Sequence, residues 1–205
     1  MTDNEEGRRI ADTILEQKNR HHLRNQDIAI LYRTNAQSRI FEEQLRRYNI
    51  PYRVFGGLSF YQRKEIKDMI AYLRLAVNPR DEEALRRVIN YPKRGIGQST
   101  VAKVSEAAAQ TNQPMWECLS LAQVPTRTAG KLQKFEKMAK AFQEKAREHD
   151  AFVTARYIAE ESSLMKELKK DNSIEGLGRL ENLNALLDGI QEFVEDDVVE
   201  DGSIA

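Results

Sequence analysis

Along most of this chain the apolar residues return every three or four positions, the period of a helix with one buried face. Residues 3–18 carry Ile10, Ile14 and Leu15 on one side, and "QSRIFEEQLRRY" (37–48) carries Phe41, Leu45 and Tyr48. Two short stretches break that rhythm. "DIAILY" (27–32) and "PYRVF" (51–55) are compact apolar runs, the second closed by Gly56-Gly57, and each is expected to be a buried strand. Strand, loop, helix, strand is a βαβ unit, so the two strands are expected to be parallel. A parallel pair makes a poor free-standing sheet. The segment therefore reads as a piece of a larger α/β domain whose other strands lie outside this chain.

After Gly57 the strand signal ends. Ile66, Ile70, Leu73 and Val77 form one stripe of a helix over 64–77, broken by Asn78-Pro79. Further helices are expected over 81–89, with acidic residues in the first turn, over 98–110, and over 114–121, with proline near the start. Residues 128–149 carry Leu132, Phe135, Met138 and Phe142 at helical spacing, 151–169 is helical with a break near Ser162-Ser163, and 174–194 closes the pattern. The expected fold is mainly α with a small α/β part: a partial parallel βαβ segment (1–63), a helical domain (64–194), and an acidic, disordered tail (195–205).

Composition narrows the class. The 205 residues are 40% hydrophobic and 31% charged, with zero formal net charge. That total hides an asymmetry: residues 39–103 hold 14 Lys/Arg against 7 Asp/Glu, and residues 104–205 hold 12 against 19. The basic half is a candidate polyanion surface, with ordinary solvated faces as the alternative. No apolar run approaches the roughly 18 residues of a membrane span, so no membrane partner is expected. The polar start "MTDNEEGRRI" is not expected to act as a signal peptide. The single cysteine, Cys118, excludes an internal disulfide and fits a reducing, cytoplasmic setting. His21, His22 and His149 lack partners at metal spacing, so no metal site is expected. There is no G-x-x-x-x-G-K-[ST] and no G-x-S-x-G, and no carboxylate pair stands out; no catalytic residue is expected in this chain.

Three stretches carry chemistry. "YRTNAQSR" (32–39) follows the first expected strand, at the edge where open α/β sheets bind ligands. Arg33, Thr34 and Asn35, with Gln37 and Ser38, supply donors suited to phosphates and bases; a polar loop with Asn35 or Ser38 capping the next helix is the plainer alternative. "FGGLSFYQRKEIKD" (55–68) interleaves Phe60 and Tyr61 with Arg63, Lys64 and Lys67, a pattern suited to single-stranded nucleic acid, or to aromatic packing beside solvated charge. "VINYPKRGIGQSTVAKV" (88–104) sets Gly95-Ile96-Gly97 between two helices with Lys93 and Arg94 leading in. In a helix-hairpin-helix the glycines admit a phosphate close to the backbone, and the amides of the new helix favour an anion; a plain tight turn is the alternative. Ile96 would be the buried hairpin residue, Val88 and Ile89 the first helix, and Ser99 and Thr100 the start of the second, with Val101 and Val104 inward and Lys103 adding charge.

In this order and spacing, "AILYRTNAQSR", "PYRVFGGLSFYQRKEIKDMIAYLRL" and "INYPKRGIGQST" resemble the UvrD/Rep/PcrA family of superfamily 1 DNA helicases, with a looser likeness at "GRLENLNAL" (178–186). The resemblance implies the first part of the RecA-like domain 2A followed by most of its helical insertion, 2B. It implies a parent that is an ATP-dependent 3′–5′ DNA helicase of repair or replication, with ATP and Mg held by other parts of that parent and no cofactor in this chain. By the same resemblance, Arg33, Thr34 and Asn35 would lie near single-stranded DNA, and Lys93, Arg94, Gly95, Ile96, Gly97, Ser99, Thr100 and Lys103 near duplex DNA. Partners would be DNA, single-stranded and at a junction, the rest of the helicase chain, and repair or replication proteins. The rival expectation is a helical module that binds proteins or regulates its parent, with DNA contact incidental. A steep fall of duplex affinity with salt separates the two.

Overall fold

A computed structural model describes residues 3–55 and 57–201. The chain divides into two compact units, one ending at Ile66 and the other starting at Lys67.

In the first unit, α1 (Asp3–His21) packs against α2 (Ser38–Arg47). Ala11, Ile14, Leu45 and Ile50 are its buried centre, with Ile28, Ile30 and Tyr48 laid against them. The helices cross closely at Gly7, where an added Cβ would stand 2.4 Å from the Ile40 side chain. The expected parallel βαβ segment is not formed: the described residues contain no strand, and the fold is all-helical. Residues 28–32 are extended without a ladder. Ile28, Ile30 and Tyr32 turn toward the helices, while Leu31 is 93% exposed. Period-two burial is thus satisfied by an extended chain lying on a helix pair, since two short parallel segments gain too little from pairing alone. Beside it lies a surface cavity of about 720 Å³ lined by Ile28, Ile30, Phe41, Leu45, Val54 and Phe55.

The second unit is a helical bundle. It comprises α3 (Lys64–Val77), which begins in the first unit, then α4 (Glu82–Val88), α5 (Gln98–Thr111), α6 (Thr126–Glu148), α7 (Ala151–Glu161), α8 (Leu164–Leu168) and α9 (Ile174–Asp201). Helix α4 starts where Asp81 accepts from the Ala84 amide at 3.0 Å, and α7 where Asp150 accepts from Val153 at 2.8 Å. Tyr72, Leu85, Leu132, Phe135, Phe142 and Ile158 fill the core, and Phe142 meets Tyr72 and Tyr157 edge to face. The expected helix over 114–121 is instead a chain of tight turns, Glu117 to Pro114 and Cys118 to Met115 among them, anchored by buried Met115, Cys118 and Leu119. The break near Ser162-Ser163 is present: Ser163 has φ +65° between α7 and α8. Helix α9 continues through Asp201, seven residues past its expected end, and residues 202–205 lie outside the described residues.

Candidate nucleic-acid interface

The hairpin joins α4 to α5. Its inward side is apolar and closed: Val88 and Ile96 are fully buried and Ile89 nearly so, with Val104 completing the contact from α5. Its shape is set by Asn90, whose Oδ1 accepts from the amides of Arg94 and Ile96, each at 3.0 Å. Gly95 has φ +72°, a conformation that side chains resist. Gly97 is the N-cap of α5 at φ −77°, which any residue adopts, and nothing stands within 4 Å of the Cβ it lacks. Neither backbone nor packing demands glycine at 97, and the space beside it is open to a ligand.

The outward side carries main chain and cations. Lys93, Gly95, Gly97, Ser99 and Lys103 are exposed. The Gly97 carbonyl accepts from the Thr100 and Val101 amides at 3.0 and 3.1 Å. No side chain caps the helix, so the first amides of α5 face solvent with the positive end of the helix dipole behind them. Two of the expected contacts turn inward. Thr100 is 8% exposed. Arg94 directs its guanidinium into the bundle, where it donates to the Tyr72 hydroxyl at 2.7 Å and the Ser162 carbonyl at 2.9 Å. Burial raises the Tyr72 phenol to about 12, and the Arg94 charge opposes the rise. Lys131 of α6, which the sequence pattern did not single out, donates to the Gly95 carbonyl at 3.1 Å and adds a cation beside the hairpin. Asn90 was likewise missed, and its only signal was its position just past the end of α4.

In the first unit, residues 33–38 form a 3₁₀ turn (Asn35–Gln37) leading into α2. The Gln37 side-chain oxygen Oε1 accepts from the amides of Arg33 and Thr34 at 2.9 and 3.0 Å. Ser38 donates to the Asn35 carbonyl at 2.9 Å, and Arg63 donates to that same carbonyl at 2.6 Å. Neither Asn35 nor Ser38 caps α2 through its side chain, and Gln37, its N-cap residue, closes the turn before the helix instead. Arg33 and Asn35 are exposed and Thr34 half-buried, so the hydrogen-bonded turn displays the side chains of Arg33 and Asn35. The 55–68 stretch behaves otherwise. Phe60 is fully buried, Tyr61 donates to Glu43 at 2.6 Å beneath Arg46, and Arg63 is 8% exposed. Burial and Glu43 push the Tyr61 phenol well above its ordinary value. Buried Glu42 gathers the loop by accepting from Tyr52, Ser59 and the Phe60 amide. These aromatics pack and do not offer a stacking face.

Residues 1–201 match the model of the UvrD-like helicase C-terminal domain, and the chain belongs to that family. It is 36% identical over its whole length to the ATP-dependent DNA helicase PcrA of Staphylococcus aureus (strain Mu50), covering 28% of that protein. It is 36% identical over 85% of its length to DNA helicase II of Haemophilus influenzae, covering 25%. Against PcrA of Staphylococcus epidermidis the identity is 35% over the whole chain. The chain therefore spans about 28% of the length of the PcrA relatives it matches.

Proposed function

We propose that this chain is a DNA-contacting part of an ATP-dependent 3′–5′ DNA helicase acting in repair or replication. The outward side of the hairpin holds duplex phosphates through Lys93, the main chain at Gly95 to Gly97, Ser99 and Lys103, with Lys131 beside them. Arg33, Thr34 and Asn35 face single-stranded DNA. The observation that carries the reading is Gly97, a glycine required by neither torsion nor packing, at the uncapped start of α5. Main-chain amides reach phosphates without reading bases, so binding is indifferent to sequence. ATP and Mg belong to the parent enzyme, and this chain supplies no group to the hydrolysis. The reading is tested by fluorescence anisotropy on a hairpin duplex with a 3′ tail across several salt concentrations. Lys93→Ala is expected to weaken binding and flatten the slope of log K against log salt by about 0.9. A wild-type affinity independent of salt would instead favour the protein-interaction module.

A further inference from the structure

Sequence pattern groups Arg94 with Lys93 as a pair of phosphate-seeking cations, but the two side chains do opposite things. Lys93 is exposed. The four Nη hydrogens of Arg94 are all committed inside the bundle: Nη1 donates to the carbonyls of Val88 (3.0 Å) and Pro92 (3.1 Å), and Nη2 to the Tyr72 hydroxyl (2.7 Å) and the Ser162 carbonyl (2.9 Å). Nη2 also approaches Met138 Sδ at 3.8 Å, and the guanidinium lies 5.7 and 5.8 Å from the Phe135 and Tyr72 ring centres. Val88 is the last residue of α4, and Ser162 caps α7. One cation therefore sits at the carbonyl ends of two helices, where the helix dipoles favour it. Tyr72, fully buried on α3, turns its own hydroxyl to the Tyr91 carbonyl inside the same loop.

We propose that Arg94 is a positioning residue: a guanidinium latch that fixes the Gly95–Gly97 hairpin to α3, α4 and α7, touching no phosphate itself. The fork geometry is what the site uses. Four acceptors lie around one planar group, which a lysine ammonium on a flexible stem cannot serve together. The latch sets where the outward amides stand, so its consequence for DNA rests on the duplex reading above, while its effect on the hairpin does not.

The test compares Arg94→Lys and Arg94→Gln with Lys93→Ala in two measurements. The first is amide hydrogen exchange without DNA, followed at Arg94 and Ile96, whose amides bond Asn90, and at Ser162 to Leu164. Both Arg94 variants are expected to lose protection at both places together, about tenfold or more, with α9 unchanged; Lys93→Ala leaves protection as it was. The second is anisotropy with the tailed duplex. A latch lowers affinity about tenfold in both Arg94 variants with the salt slope kept, because the bound state holds the same phosphates. A phosphate contact gives the reverse: Arg94→Lys near wild type, Arg94→Gln flattening the slope. That result, or unchanged exchange in both variants, overturns the proposal. Should the wild type fail to bind duplex at all, the function reading falls, and exchange alone decides the latch. Tyr72→Phe keeps the ring and removes one acceptor, so it provides the exchange test if an Arg94 variant does not fold; a loss of protection of about threefold is expected, and none would count against the latch.

Discussion

The turn at 33–37 and the hairpin at 90–97 are both polar segments that lead into a helix, yet they present opposite chemistry. The turn bonds its main chain to itself through Gln37 and Arg63 and leaves the side chains of Arg33 and Asn35 outside. The hairpin buries Ile96 and Thr100, turns the Arg94 guanidinium inward, and leaves glycine backbone and helix amides outside. A surface of side chains and a surface of main chain respond differently to substitution. At the turn, function and stability separate: outward side chains can be removed with the scaffold intact. At the hairpin they are joined wherever a side chain points inward, because the displayed backbone takes its shape from what is packed beneath it.

The largest effect is expected at Ile96→Ala. The side chain is fully buried, so truncation costs about 2–5 kcal/mol by urea unfolding. A cost below about 1 kcal/mol would mean that the hairpin is held from its outward side, and the comparison would break. Gly97→Glu comes next, and it acts on binding alone. With φ at −77° and open space around it, the fold accepts a side chain and the melting temperature stays, while a carboxylate beside the phosphate lowers duplex affinity about tenfold or more. Loss of stability there would show that position 97 is structural after all.

Replacing Arg33 and Asn35 together with alanine sharpens the other half. Stability is expected to move by less than about 0.5 kcal/mol, while single-strand affinity falls severalfold in the intact helicase. Normal binding in a destabilised variant would reverse the assignment. The smallest effect concerns Asp81 at the start of α4. The Ala84 amide, followed by Arg74, holds its carboxyl below the ordinary value of 3.8. A depressed carboxyl stabilises the fold above its unfolded value, and that contribution fades as pH falls through the folded one. Wild type should therefore lose ground to Asp81→Asn, which caps without titrating, only below about pH 4 in urea midpoints.

What the sequence disclosed and what it hid follow from the distance over which each feature is decided. The hairpin was legible because Val88, Ile96, Gly95 and Val104 are near neighbours in the chain, and the break at Ser162-Ser163 is local as well. The direction of Arg94 was not legible, since one of its acceptors is the carbonyl of Ser162, 68 residues away. Local charge reads Lys93 and Arg94 as a pair; tertiary acceptors part them. The two expected strands failed for a related reason. Alternation between Ile28, Ile30 and Leu31 reports which side of an extended chain is covered, whereas a strand also needs a ladder partner, which no single segment can announce. At 114–121 the buried residues Met115, Cys118 and Leu119 recur at three- and four-residue steps that tight turns satisfy as well as a helix does.

The extended segment of the first unit bears on handling the protein. Leu31 is 93% exposed, Phe55 79% and Leu58 57%, and all three line the surface cavity of this unit. Apolar surface gathered in one place is poorly tolerated by water and draws like surfaces together. For the chain prepared by itself, this corner of the smaller unit favours self-association. High salt, which would strip weakly held DNA from the hairpin, strengthens that attraction, so washing the protein free of nucleic acid and keeping it monodisperse are opposing demands.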